Sequence, residues 1–118
     1  MNPTTKTTDL EFLKNFTKGD VEKMRRYINM YLNTTPQVIQ EIEQFFEENN
    51  LENVRLKAHS IKPQVQYMGV AELSAVLLEI ESKIINNEGI NVMPALISSA
   101  KSINDKATIE LKQFLGEL

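Results

Sequence analysis

The sequence contains no cysteine and only one histidine. Without cysteine there can be no disulfide framework, no thiol nucleophile and no thiolate metal site. One histidine and no cysteine also make a poor set of metal ligands, so we expect the protein to bind no metal of its own. The absence of cysteine suits a reducing compartment, and we expect a cytoplasmic protein.

The sequence also lacks an excess of basic residues and a long apolar run. Sixteen acidic residues against thirteen Lys and Arg give a net charge of −3, which argues against a nucleic-acid-binding protein. No stretch reaches the roughly 18 apolar residues of a membrane span, and the N-terminus has no signal-peptide core. No glycine-rich phosphate loop is present, so ATP binding is not expected. The 118 residues fit one domain, which we expect to be monomeric.

Apolar residues recur every three or four positions through most of the chain, and no segment alternates with period two. Residues 1–7 are polar and without periodicity, which predicts a disordered tail. Thr8-Asp9-Leu10-Glu11 has the spacing of a capping box and predicts a short first helix. Asp20 is expected to cap the next helix. Pro36 marks either another helix start or a kink between two nearly continuous segments.

The second half of the chain predicts three further helices. One runs over residues 51–68, with Gly69 as the left-handed residue beyond its end. The next carries the stripe from Leu73 to Ile84, and Asn91 is expected to cap the last. Residues 8–118 therefore predict a single all-α domain, an antiparallel up-and-down four-helix bundle with one or two additional short N-terminal helices.

The helix over residues 51–68 has a defined apolar side. At about 100° per residue, five of its apolar side chains cluster within roughly 40° of one direction: Val54, Ala58, Ile61, Val65 and Met68. On the same wheel, His59 lies about 140° from that direction, Gln66 about 120°, Arg55 about 100° and Lys62 about 80°. This geometry predicts an imidazole in solvent within a polar strip. On position alone, an ordinary surface histidine is the better explanation of His59.

Residues around His59 resemble the signature of the histidine-containing phosphotransfer (HPt) domain family. That signature is roughly Ala-His-x-Leu/Ile-Lys-Gly-Ser/Ala, with an apolar residue and a glycine nine and ten residues after the histidine. Ala58-His59-Ser60-Ile61-Lys62 and Met68-Gly69 match it, and Ile80-Glu81 falls where the family often has Leu-Glu. The resemblance extends over about residues 9–115 and implies a helical bundle.

The chain departs from the family pattern directly after the lysine. Pro63 replaces the glycine and Gln64 replaces the small residue that follows it. Pro63 lies about 180° from the core direction, so the resemblance places its ring on the face that a partner would approach. Proline also has no amide for the carbonyl of His59, which favours a kink beside the site. Arg55 would add positive potential to docking.

The resemblance implies that His59 is phosphorylated and passes on its phosphoryl group. Lys62 would attract the phosphoryl oxygens, Gln66 would donate a hydrogen bond to them, and Glu81 would accept the Nδ1 proton of His59. The implied partners are a response-regulator receiver domain, a hybrid histidine kinase, or both. Mg²⁺ would belong to the receiver domain, and the chain would need no cofactor and have no independent catalytic activity.

Three other functions are compatible with the sequence. Pro63 favours a helical interaction module that keeps the bundle but has lost phosphotransfer. An enzyme of another type is a second alternative, although acidic pairs such as Glu47-Glu48 are typical of solvated helix faces. A self-associating structural bundle is the third, and an exposed Tyr27 and Tyr67 would suit it.

Overall fold

The computed structural model describes residues 6–118, which form helices and, within that range, no strand. The helices are α1 (Glu11–Thr17), α2 (Val21–Glu47), α3 (Leu51–Ser60), α4 (Lys62–Tyr67), α5 (Ala71–Asn86) and α6 (Met93–Glu117), with a 3-10 turn over Ile90–Val92. The all-α prediction is confirmed.

The four helices α2, α3, α5 and α6 form the bundle. Each packs against the next in chain order and α6 packs back on α2, which is the up-and-down arrangement expected of short connections. Helix α4 follows α3 and contacts α2 and α5, while α1 lies against α2. The predicted bundle is confirmed, with one short N-terminal helix.

Helix α2 continues through Pro36. The prediction of two nearly continuous segments at this proline is therefore closer to the structure than the prediction of a new helix start. Its buried stripe keeps steps of four and three residues across the proline: Met24, Ile28, Tyr31, Thr35, Val38 and Ile42. Proline leaves the carbonyl four residues earlier without its helical partner. Continuous packing of both halves against the bundle offsets that lost hydrogen bond.

Several predicted helix ends are present. The carboxylate of Asp20 caps α2 by accepting a hydrogen bond from the amide of Lys23 at 3.1 Å. Gly69 has φ +62° and ends α4 in a Schellman motif, in which the Val70 amide donates to the carbonyl of Val65. The predicted left-handed glycine is confirmed.

Two predicted caps are wrong. The residue before α1 is Leu10, and the hydroxyl of Thr8 donates to Glu110 at 2.7 Å instead of capping the helix. As a cap the Thr8 hydroxyl would accept from a backbone amide, whereas here it donates a stronger, charge-assisted hydrogen bond to a carboxylate, so a contact distant in sequence prevails. Asn91 lies inside the 3-10 turn, and α6 begins two residues later at Met93 without a side-chain cap.

The predicted N-terminal tail covers residues 1–7, of which residues 1–5 lie outside the described residues. Thr7 differs from that prediction because its amide donates to Glu110 at 2.8 Å. Among the described helices, none combines the length and the apolar character that a membrane crossing requires.

Candidate functional site

His59 lies in the last turn of α3, and its side chain is 68% exposed. The residue before it, Ala58, and Val54 one turn earlier are buried in the core. The apolar side of α3 thus faces the bundle and turns the imidazole outward. The direction predicted for His59 from helical periodicity is confirmed.

The helix predicted over residues 51–68 is interrupted at Ile61, so one continuous helix is wrong and the perturbation expected from Pro63 beside His59 is present. This residue has φ −98° and ψ 0°, well away from helical values, and α4 begins at the next position. Pro63 explains the break, since it cannot donate to the carbonyl of His59 and its ring crowds that carbonyl. Val65 and Met68 remain buried, so the chain keeps its apolar face through the break.

Glu81 on α5 joins His59 to Lys62. Its side chain is only 8% exposed, and its Oε1 lies 2.9 Å from Nδ1 of His59. Its Oε2 lies 3.0 Å from Nζ of Lys62, an ion pair that is not aligned as a hydrogen bond. A buried carboxylate is tolerated where cations or donors face it, and here one of each does.

This contact determines which nitrogen of the imidazole is available. An ionised carboxylate can only accept, so Nδ1 of His59 carries the hydrogen in the neutral ring. The other nitrogen, Nε2, then holds a free electron pair. Because the side chain is mostly exposed, this nucleophilic nitrogen is open to a group approaching from solvent.

The two cations predicted to serve the site, Lys62 and Arg55, have different surroundings. Lys62 is 28% exposed and lies on the buried side of the site, against Glu81. Arg55 is paired with Glu52 on its own helix, with its Nε 2.6 Å from Glu52 Oε1. The charge of Arg55 is therefore compensated locally, which leaves Lys62 as the cation associated with the imidazole.

Gln66 and Pro63 lie on the exposed side of α4. They border a shallow groove together with Phe12 and Tyr67. Within the part of the chain that the structure describes, Gln66 forms no hydrogen bond with His59. The structure therefore brings together His59, Lys62 and Glu81, whereas Gln66 belongs to the adjoining surface.

An aromatic cluster borders this groove and was not anticipated as a unit. Phe12, Phe16, Tyr27 and Tyr67 come from three helices, with ring centroids 5.2 to 6.0 Å apart. Phe12 and Phe16 are 53% and 50% exposed, and the two tyrosines are half-buried. The spacing of Phe12 and Phe16 by four residues was the available signal, since it places both rings on one side of α1.

Metal binding has no support from the donor side chains. Within residues 6–118, no group of three or more His, Asp or Glu side chains could hold a metal ion. His59 and Glu81 are close enough to share a ligand, but they use that proximity for a hydrogen bond to one another.

A family model described as Hpt domain matches residues 26–118. The matched range includes α3 to α6 and most of α2, and it starts after α1 and the segment before it. No curated protein and no solved structure matches the chain.

Proposed function

Since the chain belongs to the Hpt domain family, we propose that it is a phosphotransfer protein of a two-component phosphorelay. His59 carries the phosphoryl group between a sensor kinase or its receiver domain and a response regulator. One observation carries this proposal: an exposed imidazole whose Nδ1 is held by a buried carboxylate, which leaves Nε2 free.

The transfer step forms one bond and breaks another. Nε2 of His59 attacks the phosphorus of an aspartyl phosphate on the partner, and a P–N bond forms as the P–O bond breaks. The bonding electron pair leaves with the partner's carboxylate. The ring keeps its Nδ1 hydrogen and becomes a phosphorylated imidazolium, whose positive charge faces Glu81. The reverse sequence passes the group to a second carboxylate.

Lys62 and Gln66 act on the phosphoryl oxygens in this proposal. Transfer between side chains depends on alignment and charge neutralisation more than on proton transfer. Lys62 lies one turn beyond His59 and pairs with the carboxylate that holds it, so its ammonium group is within reach of a group on Nε2. Gln66 is exposed on α4 and would donate an amide hydrogen once the phosphoryl group is present.

The partner in this proposal is a receiver domain, a hybrid histidine kinase, or both. Pro63 is exposed next to the site and would contact that partner, with Arg55 on the adjoining turn of α3. The partner supplies the aspartate and the Mg²⁺ that receiver domains use, and this chain supplies neither. The protein would be an intermediate that its partners turn over.

The test is transfer from a phosphorylated receiver domain. Wild type is expected to take up label that survives base and is lost in acid, as a phosphoramidate bond does and an acyl phosphate does not. His59→Gln, which keeps a polar side chain of similar size, is expected to take up none. Circular dichroism of both proteins serves as the control that the bundle is intact.

The same experiment distinguishes phosphotransfer from a second candidate function, binding without transfer. The exposed Pro63 ring favours an interaction module that binds receiver or kinase domains without transfer. If wild type and His59→Gln bind a receiver equally and neither is labelled across a panel of receivers, the interaction module replaces the phosphorelay proposal.

A further inference from the structure

Residues 7–9 connect α6 to the end of α4, and we call them the anchor segment. At one end, the carboxylate of Glu110 on α6 accepts three hydrogen bonds from it. The amides of Thr7 and Thr8 donate at 2.8 Å each and the Thr8 hydroxyl donates at 2.7 Å. Charge-assisted hydrogen bonds are the stronger kind, so this is a firm attachment.

The other end of the anchor segment holds the turn after α4. The amide of Asp9 donates to the carbonyl of Met68 at 3.1 Å. Next to it, a Cβ at Gly69 would overlap the carbonyl of Asp9. The two backbones can approach this closely because residue 69 has no side chain.

Helix α4 depends on such contacts for its position. It has six residues, too few for a stable helix in isolation, and the break at Ile61 separates it from α3. Its first half is held by Gln64, which accepts a hydrogen bond from Thr35 on α2 at 3.1 Å. Its far end is held by the buried Met68 and by the anchor segment.

Helix α4 also carries three of the residues to which the proposed function assigns a role. Lys62 is its first residue and Pro63 its second, and Gln66 lies one turn further. The anchor segment and α1 both precede the range that the family model matches. Their contact with α4 therefore lies outside the matched range.

We infer that Glu110 is a positioning residue for transfer at His59. It acts through the anchor segment, which fixes the far end of α4 and thereby the placement of Lys62 and Pro63 beside the imidazole. Glu110 touches neither His59 nor the transferred group. This inference rests on the proposed function for its effect on transfer, whereas the link from Glu110 to α4 stands on the contacts alone.

The first measurement is amide hydrogen exchange in wild type and Glu110→Gln. A glutamine has one accepting oxygen in place of two and points its own NH₂ at a donor of the anchor segment, and it removes the charge that strengthens the remaining hydrogen bonds, so the anchor segment is released. Exchange is expected to rise about ten-fold or more at residues 7–9 and over residues 62–70. Glu117→Gln, which removes the same charge from an exposed position on α6, is expected to match wild type.

Thr8→Val is a milder second variant, because it removes one of the three hydrogen bonds and keeps the shape of the side chain. It is expected to give a smaller rise over the same residues. The inference is overturned if Glu110→Gln releases residues 7–9 while residues 62–70 stay as protected as in wild type.

The second measurement separates positioning from the chemistry of the imidazole. Phosphoramidate, a small donor, phosphorylates histidine directly as its P–N bond breaks and ammonia leaves. Glu110→Gln is expected to be several-fold slower with a phosphorylated receiver and to be slowed much less with phosphoramidate, since the small donor depends on Lys62 but makes no contact with the docking residue Pro63. Equal slowing with both donors, or with neither, would overturn the inference. Absence of transfer from any receiver to wild type would contradict the proposed function, and the exchange experiment would still decide the link to α4.

Discussion

At the scale of single residues, Glu81 serves His59 and Lys62 with different oxygens of one carboxylate. In the resting protein Lys62 is therefore already partnered. A phosphoryl group on Nε2 would bring a second anion within reach of the Lys62 ammonium group. Lys62 could shift toward it without leaving the buried carboxylate of Glu81 uncompensated, because the ring next to that carboxylate would then be positively charged. Glu81 would then balance the phosphorylated imidazolium.

We predict that Glu81→Gln slows transfer from a phosphorylated receiver about ten-fold, equivalent to about 1.4 kcal/mol in the barrier. A glutamine can donate to Nδ1 of His59, which places the ring hydrogen on Nε2 and removes the free electron pair. It also removes the anion that faces Lys62. The rate is measured with saturating receiver, and ¹⁵N shifts of the imidazole report the tautomer.

Glu79→Gln is the matched control, since Glu79 is an exposed glutamate on the same helix. It is expected to transfer at the wild-type rate. A wild-type rate and an unchanged tautomer in Glu81→Gln would remove Glu81 from the mechanism.

The outward direction of His59 could be predicted from helical periodicity, whereas its contact with Glu81 was predicted only from the family resemblance. Direction follows from residues of one helix, because the buried stripe through Val54 and Ala58 fixes the opposite face. Contact depends on how α5 lies against α3, which no local pattern contains. Thr8 illustrates the same limit: its local spacing predicted a cap, but Glu110, 102 residues away, binds it instead.

At the scale of elements, two prolines have opposite effects. Helix α2 continues through Pro36 for a total of 27 residues, whereas the helix carrying His59 breaks two residues before Pro63. The intrinsic cost of an interior proline is similar in both, about 3 kcal/mol. Packing on the rest of the bundle decides the outcome, so the sequence alone could predict a perturbation at each site but not its form.

We predict that Pro63→Ala joins α3 and α4. Alanine supplies the amide for the carbonyl of His59 and removes the ring that crowds it. The ¹³Cα shift of Ile61 is expected to move to a helical value, and the new amide at position 63 is expected to be protected from exchange.

Pro94→Ala is the control for this prediction. Pro94 lies in the first turn of α6, where the amide has no partner within the helix in any case. We expect no change in the backbone shifts around it beyond its immediate neighbours. Coil-like shifts at Ile61 in Pro63→Ala would show that the break has a cause other than proline.

At the scale of the whole molecule, the core contains one polar pair that ties α2 to α6. The hydroxyl of Tyr31 donates to Oδ1 of Asn104 at 2.8 Å, and both residues are buried. Burial raises the pKa of the Tyr31 hydroxyl above its ordinary value. The pair therefore needs a neutral tyrosine.

We predict that the free energy of unfolding falls as the pH rises above about 10, the ordinary tyrosine pKa. In that range the unfolded chain loses the proton of Tyr31 and the folded chain keeps it, so the folded state is progressively disfavoured. Below that pH the contribution is complete. Tyr31→Phe is expected to be about 1 kcal/mol less stable at neutral pH, because Asn104 loses its donor, and to show a shallower fall in alkali.

Urea unfolding at a series of pH values measures both effects. Tyr27→Phe is the matched control, since it removes a hydroxyl from the aromatic cluster and not from the core. If Tyr31→Phe followed the wild-type curve above pH 10, the alkaline loss of stability would have to arise elsewhere in the protein.

The buried side chain of Leu13 on α1 bears on where a stable fragment of this chain can begin. Leu13 has no exposed surface, and Met24 in the first turns of α2 is also buried, yet both precede residue 26, where the match to the Hpt domain family begins. A fragment cut at that boundary would leave an open hollow in the core and shorten α2. We therefore expect a fragment that begins at residue 26 to be less stable than one that begins at or before Thr7.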